Sequence, residues 1–174
     1  MSSTLFEKIW KSHLVIQGDV HPDLVYVDRI FLHERTGSFA LKSLKERGLK
    51  VKNPKHVFAT MDHIVDTFPG RGDETLMPGG KKFIRTMREL AKEFDVTLFD
   101  INDPRHGISH LISAEQGITL PGNIVTCPDS HTCTLGALGA IGWGVGSSDC
   151  EHALATSTLT GEKPKQMQII FSGE

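Results

Sequence analysis

Residues 123–134 read NIVTCPDSHTCT. The stretch Asn123 to Cys127 is short, apolar and rich in β-branched residues, so it reads as a buried strand. Asp129, Ser130 and His131 follow at once. The same sequence pattern occurs twice more. HVFATM (56–61) is a short buried strand followed by Asp62 and His63, and VTLFDI (96–101) is a strand followed by Asn102 and Asp103. In open α/β sheets ligands bind beyond the carboxyl ends of the strands. The pattern therefore predicts several ionisable groups along one rim.

Outward from these strands the chain alternates. LVYVDRIFL (24–32) contains a strand, and MQIIF (Met167 to Phe171) is expected to form another. Helical segments fall between them. Thr4 with Glu7 forms a capping-box pattern for a helix to about His13. Thr36 is expected to cap a second helix with Phe39, Ala40, Leu41 and Leu44 at helical spacing, stopped by Gly48. A third helix runs from about Lys81 to Phe94, a short one lies in HGISHLISAEQGI, and Asp149 is expected to cap a last one, EHALATSTL. The fold class is therefore α/β, a mostly parallel sheet with helices on both faces, in a single domain over residues 1–174.

Composition narrows the functions. Net charge is −2 with no basic stripe, which argues against nucleic-acid binding. The apolar runs are only a few residues long, so no membrane span is expected. The N-terminus carries an early Glu7 and lacks the apolar core of a signal peptide, which points to a cytoplasmic protein. Three cysteines, Cys127, Cys133 and Cys150, are too few for a disulfide scaffold, and no CxxC occurs. They read as packed or pocket-lining thiols rather than as metal ligands.

Asp129-Ser130-His131 does not read as a hydrolase triad. Neighbours in an extended segment point in different directions, and the G-x-S-x-G elbow is absent. Each residue suits a different partner: Asp129 to orient an imidazole, Ser130 to bond a carboxylate, His131 to carry a proton. A plain polar turn accounts for the same three residues. His63 after Asp62, and His110 in GISH, read either as structural histidines or as acid–base groups on the predicted rim. The run GALGAIGWGVGSSD holds Gly136, Gly139, Gly142, Gly144 and Gly146. It lacks the acid of a dinucleotide fingerprint, and small residues at this spacing suit close packing of a helix under the sheet.

Taken together, TLFEKIW, VDRIFLHE, FATMDH, LFDIN, GISHLISAEQGITLPG and CPDSHTCTLGALGAIGWGVGSSDCEHALAT resemble, in order, the N-terminal part of the aconitase superfamily in its isopropylmalate dehydratase branch. The resemblance implies an aconitase-type first domain of a hydro-lyase that dehydrates and rehydrates a hydroxy di- or tricarboxylic acid. It implies catalytic roles for Asp62, His63, His110, Asp129 and His131. Asp62 would pair with His63 near the departing hydroxyl, and His110 with Asp129. It makes Ser130 a substrate-carboxylate contact. It also implies a [4Fe–4S] cluster in the complete enzyme, whose cysteines stand at none of the three positions here. No cluster is therefore expected on this chain alone. The remaining cluster-bearing domains, and a small subunit, would be its partners. Where the branch commonly reads HEVTSPQAF, this chain has HERTGSFAL, with Phe39 in place of a polar residue near substrate. Phe39 is thus expected either to line the substrate pocket or to turn into the core. Separated from the later domains, the chain is expected to be inactive and to self-associate. The other reading is a non-catalytic binding module that pairs with a separate cluster-bearing chain.

Overall fold

The computed structural model describes residues 3–173. Helix α1 (Leu5–His13) starts at Thr4, whose hydroxyl accepts the Glu7 N–H while the Glu7 carboxylate accepts the Thr4 N–H. Both halves of the expected capping box are thus present. Strands β1 (Leu14–Ile16), β2 (Asp23–Tyr26) and β8 (Thr158–Gly161) form a small antiparallel sheet in the order β1-β2-β8. The main sheet has five strands in the order β5-β4-β3-β6-β7, all parallel: β3 (Arg29–His33), β4 (Val57–Thr60), β5 (Thr97–Phe99), β6 (Ile124–Cys127) and β7 (Ile141–Gly144). Between them lie α2 (Gly37–Glu46), α3 (Gly80–Glu93), α4 (Ser109–Glu115) and α5 (Ser147–Thr156).

Side-chain alternation shows that both faces of the main sheet are covered. Ile30, Leu32, Val57 and Ala59 point into one core with Leu41 and Leu44 of α2, Ile84 and Met87 of α3, and Leu154 of α5. Phe31 and Cys127 point the opposite way, into a smaller core with Ile112 of α4 and Phe99. Strands buried on both faces read as continuous apolar runs, which is how β3 to β6 were located without any alternation.

Several local expectations are corrected. LVYVDRIFL holds two strands in different sheets, not one. The chain breaks at Asp28, whose carboxylate accepts the Ile124 N–H at 2.7 Å and faces His13 at 2.8 Å. Thr36 sits at the start of α2 but its side chain makes no capping bond, and α5 begins after Gly146 with Asp149 already in its first turn. MQIIF forms no strand: Met167, Ile169, Ile170 and Phe171 are all well exposed and belong to no sheet. An apolar run needs a sheet edge to pair with, and none meets it here.

The glycine run is not a helix under the sheet either. Thr132–Leu138 is a 3-10 segment, and β7 follows. The glycines do serve close backbone approach, but on the strand. A Cβ on Gly142 would lie 2.0 Å from the Thr132 carbonyl oxygen, and one on Gly144 would lie 2.6 Å from that of Asp129. Strand β7 thus presses on the loop that carries Asp129. Gly142→Ala is expected to cost about 2–3 kcal/mol, as overpacking against backbone does. Gly136→Ala, where an added Cβ meets nothing within 4 Å, should stay within about 0.5 kcal/mol. Urea unfolding of the two variants measures the difference.

Candidate active site

The order β5-β4-β3-β6-β7 means that the chain leaves β3 toward one side of the sheet and returns on the other. The crevice at such a reversal, beyond the carboxyl ends of the strands, is where open α/β sheets bind ligands. Three segments end there: His33-Glu34 at the end of β3, Asp62-His63 after β4, and Asp129-Ser130-His131 after β6.

Asp129 is the hub. Its carboxylate lies 3.2 Å from His63 Nε2, 3.3 Å from His131 Nδ1 and 3.6 Å from His110 Nε2, and it accepts the His131 backbone N–H at 2.6 Å. His63 faces a second carboxylate, with Nδ1 at 2.6 Å from Asp62 Oδ1. The other oxygen of Asp62 accepts the Ser109 N–H at 2.8 Å, which ties β4 to the start of α4, where His110 stands. His110 Nε2 is buried and makes no hydrogen bond, since 3.6 Å to Asp129 is too long for one. The His131 side chain is 81% exposed, and Ser130 is exposed beside it. His33, Arg35, His63, Asp129, Ser130 and His131 line a cavity of about 350 Å³.

Phe39 is not brought to this cluster. Successive helical residues turn by about 100°, so with Ala40, Leu41 and Leu44 facing the core, Phe39 faces out. It meets Phe83 of α3 edge-on, with centroids 5.7 Å apart, in a separate groove between α2 and α3. Nor does it turn into the core, being 54% exposed. Asp103 is also apart, paired with Arg105 at 2.7 Å.

Two residues that the sequence reading passed over belong here, His33 and Glu34. Both are fully buried. Glu34 accepts the backbone N–H groups of Asp62 at 3.1 Å, of His63 at 2.9 Å and of Ile64, so it anchors the turn that presents His63. His33 stacks on His63 with centroids 3.6 Å apart and planes 12° from parallel. The signal was available, since an ionisable pair follows the apolar run IFL just as Asp62-His63 follows FATM.

Each electrostatic shift has a local cause. The hydrogen bond that His63 Nδ1–H donates to Asp62 holds His63 above its ordinary range, against the effect of burial. Burial works to raise Asp62, but the bonds from His63 and Ser109 outweigh it and hold the carboxyl low. Asp129 is lowered in the same way: burial opposes, while the His131 N–H and the neighbouring histidines prevail. Burial pushes His33 down and Glu34 up.

Donor atoms of His33, Glu34, Asp62 and His63 lie within 4.8 Å of one another. Glu34, Asp62 and His63 already make the internal bonds just described, while His33 Nδ1 is left without a partner, so a cation here would compete with the turn that presents His63. The thiols do not suit an iron–sulfur cluster either. Burial seals Cys127 and Cys150 in the core, with the Cys150 thiol pushed up to about 12, and Cys133 alone is exposed. Cluster ligation needs several accessible thiolates at one place.

Histidines alternating with carboxylates at the switch point of a parallel sheet define a class: an α/β domain with a cluster of titratable groups at its ligand-binding edge. The comparison with known proteins makes this specific. The chain belongs to the aconitase family, whose model, described as aconitase family (aconitate hydratase), matches residues 7–174. It is 42% identical over 170 residues to the 3-isopropylmalate dehydratase large subunit 1 of Bradyrhizobium diazoefficiens, covering 98% of this chain and 35% of that protein. It is likewise 42% identical over 174 residues to the 3-isopropylmalate dehydratase large subunit 2 of Salmonella typhimurium, covering 99% of this chain and 37% of that protein. The chain thus spans little more than a third of the length of these relatives.

The shifts set a pH dependence. His63 titrates above its ordinary 6.5 in the fold, so its stabilisation is complete below pH 6.5 and is lost as pH rises through the raised value. Asp62 and Asp129 titrate below their ordinary 3.8, so theirs is complete above 3.8 and is lost as pH falls through the lowered values. Asp62→Asn removes the main cause of the His63 shift, and the His63 midpoint should fall by on the order of 1 pH unit in an NMR titration.

Proposed function

We propose that this chain is the first domain of a hydro-lyase that dehydrates and rehydrates a hydroxy di- or tricarboxylic acid of the 3-isopropylmalate kind. One observation carries the reading: His63 lies between Asp62 and Asp129 at the wall of an open cavity, on a domain of the aconitase family. Hydroxide is a poor leaving group and needs a proton donor. A histidine flanked by two carboxylates holds its proton to higher pH than a free imidazole and is oriented on both ring nitrogens. Loss of the proton to a departing hydroxyl leaves a neutral imidazole that still bonds Asp62. Asp129 steadies His131 on the opposite side, where its exposed ring can reach a ligand. The exposed Ser130 hydroxyl, 3.4 Å from His131 Nδ1, would turn to bond a substrate carboxylate.

The complete family enzyme would add a [4Fe–4S] cluster that polarises the hydroxyl, its thiolates coming from polypeptide outside these residues. A small subunit is a further partner on this reading, since the relatives are named large subunits. Substituting His63→Gln in the enzyme assembled with its cluster-bearing part should lower kcat by on the order of 10²–10⁴, the usual worth of a general acid. Binding of the hydroxy acid without any turnover by the assembled wild type would favour a non-catalytic module instead.

The isolated chain is also proposed to self-associate. Ile169, Ile170 and Phe171 expose apolar surface in a contiguous segment, and such patches drive association. Light scattering should show a dimer or larger species, and a monomer at every concentration would refute it.

A further inference from the structure

His33 is the one histidine of the cluster that touches neither carboxylate hub, yet it is 1% exposed and lies flat against His63. Its Nε2–H donates to the Pro128 carbonyl at 2.9 Å. Its Nδ1 is buried and has no partner. Both facts bear on its charge. A protonated His33 would need an acceptor for a second N–H, and among the described residues none lies within hydrogen-bond distance. Two imidazolium rings stacked at 3.6 Å would also repel strongly, so one of the pair stays neutral.

The surroundings decide which one. His63 meets Asp62 at 2.6 Å and Asp129 at 3.2 Å, with Glu34 behind the turn that carries it. His33 hydrogen-bonds only a neutral carbonyl; a nitrogen of its ring lies within 4.8 Å of a carboxylate oxygen of Asp62 and of Glu34 but bonds neither. His110 and His131 face the far carboxylate oxygen of Asp129 and leave His33 untouched. Burial holds the His33 ring in its neutral form, which agrees with this division.

The bond to Pro128 adds a mechanical role. Pro128 precedes Asp129, so the end of β3 grips the loop after β6 one residue before the hub carboxylate. We propose that His33 is a positioning residue for His63: its neutral ring fixes the plane of His63 by stacking, and its Nε2–H holds the Asp129 loop so that His63 stays between two carboxylates as the only proton carrier of the pair. This rests on the role proposed for His63 as proton donor, but its test does not require turnover.

The test is an NMR pH titration of the imidazole nitrogens in the 174-residue chain, with His33→Phe and His33→Gln beside the wild type. In the wild type, His33 should keep one neutral Nε2–H tautomer across the whole range in which the chain is folded, while His63 titrates. His33→Phe keeps a flat ring on His63 but releases Pro128. The His63 midpoint should then fall by on the order of 1 pH unit as Asp129 moves away. His33→Gln offers an amide N–H to the Pro128 carbonyl and should restore most of that shift. A wild-type His33 that titrates between pH 6 and 8 overturns the proposal even if the Phe variant fails to fold. So does a His63 midpoint that is the same in wild type, Phe and Gln variants. Loss of hydro-lyase activity in the assembled enzyme tests the proposed function and leaves these midpoints unaffected, so the two ideas fail separately.

Discussion

Everything at the site depends on β3 being the central strand of a parallel sheet, hydrogen-bonded to β4 on one side and β6 on the other. The register sets Ile30 beside Val57 and Arg29 beside Val125. With those pairings made, the three strands run out together, and the residues after them arrive at one place. His33, Asp62, His63 and Asp129 are near one another because backbone ladders place them there, before any side chain attracts another. The apolar residues on both faces of the sheet, from Phe31 and Leu32 to Ile124 and Cys127, keep that register from slipping.

On this frame the polar groups hold one another in a definite order. Glu34 fixes backbone, Asp62 links one strand end to α4, and Asp129 gathers three imidazoles. Burying so many ionisable groups is costly unless each finds partners. Here nearly all do, with His33 Nδ1 and His110 Nε2 among the few buried polar atoms left over. Unsatisfied buried groups cluster where a structure is built for chemistry. Strand β7 completes the arrangement, since its glycines let the Asp129 loop lie directly on its backbone.

The helices and four of the five parallel strands were legible because each carries its own local cause; β7 was not, since its glycine-rich run read as a helix. Thr4 and Glu7 make a capping box that needs nothing else from the fold, and Gly48 ends its helix with φ near 66°. The antiparallel sheet was not legible. Leu14–Ile16 and Thr158–Gly161 are short strands that owe their form to Asp23–Tyr26, which is distant in sequence from the second of them. MQIIF failed for the converse reason, having strand-like residues and no edge to pair with. Phe39 was ambiguous as a member of an apolar stripe, and only the angle at which α2 meets the sheet turned it outward.

The sequence by itself determined that ionisable residues follow the strands and that the chain is of the aconitase kind, because strand ends and long ordered motifs are local properties. It marked Asp62, His63, His110, Asp129 and His131 individually. The resemblance implied the pairs Asp62–His63 and His110–Asp129; that Asp129 also meets His63 and His131, and stands 3.6 Å from His110, was decided only by the tertiary structure. Distances of 2.6 to 3.6 Å across three separate segments follow from sheet register and loop packing, and no residue type records them. The same is true of His33. In the sequence it is one polar residue after an apolar run; in the fold, parallel pairing on both sides of β3 lays its ring against His63.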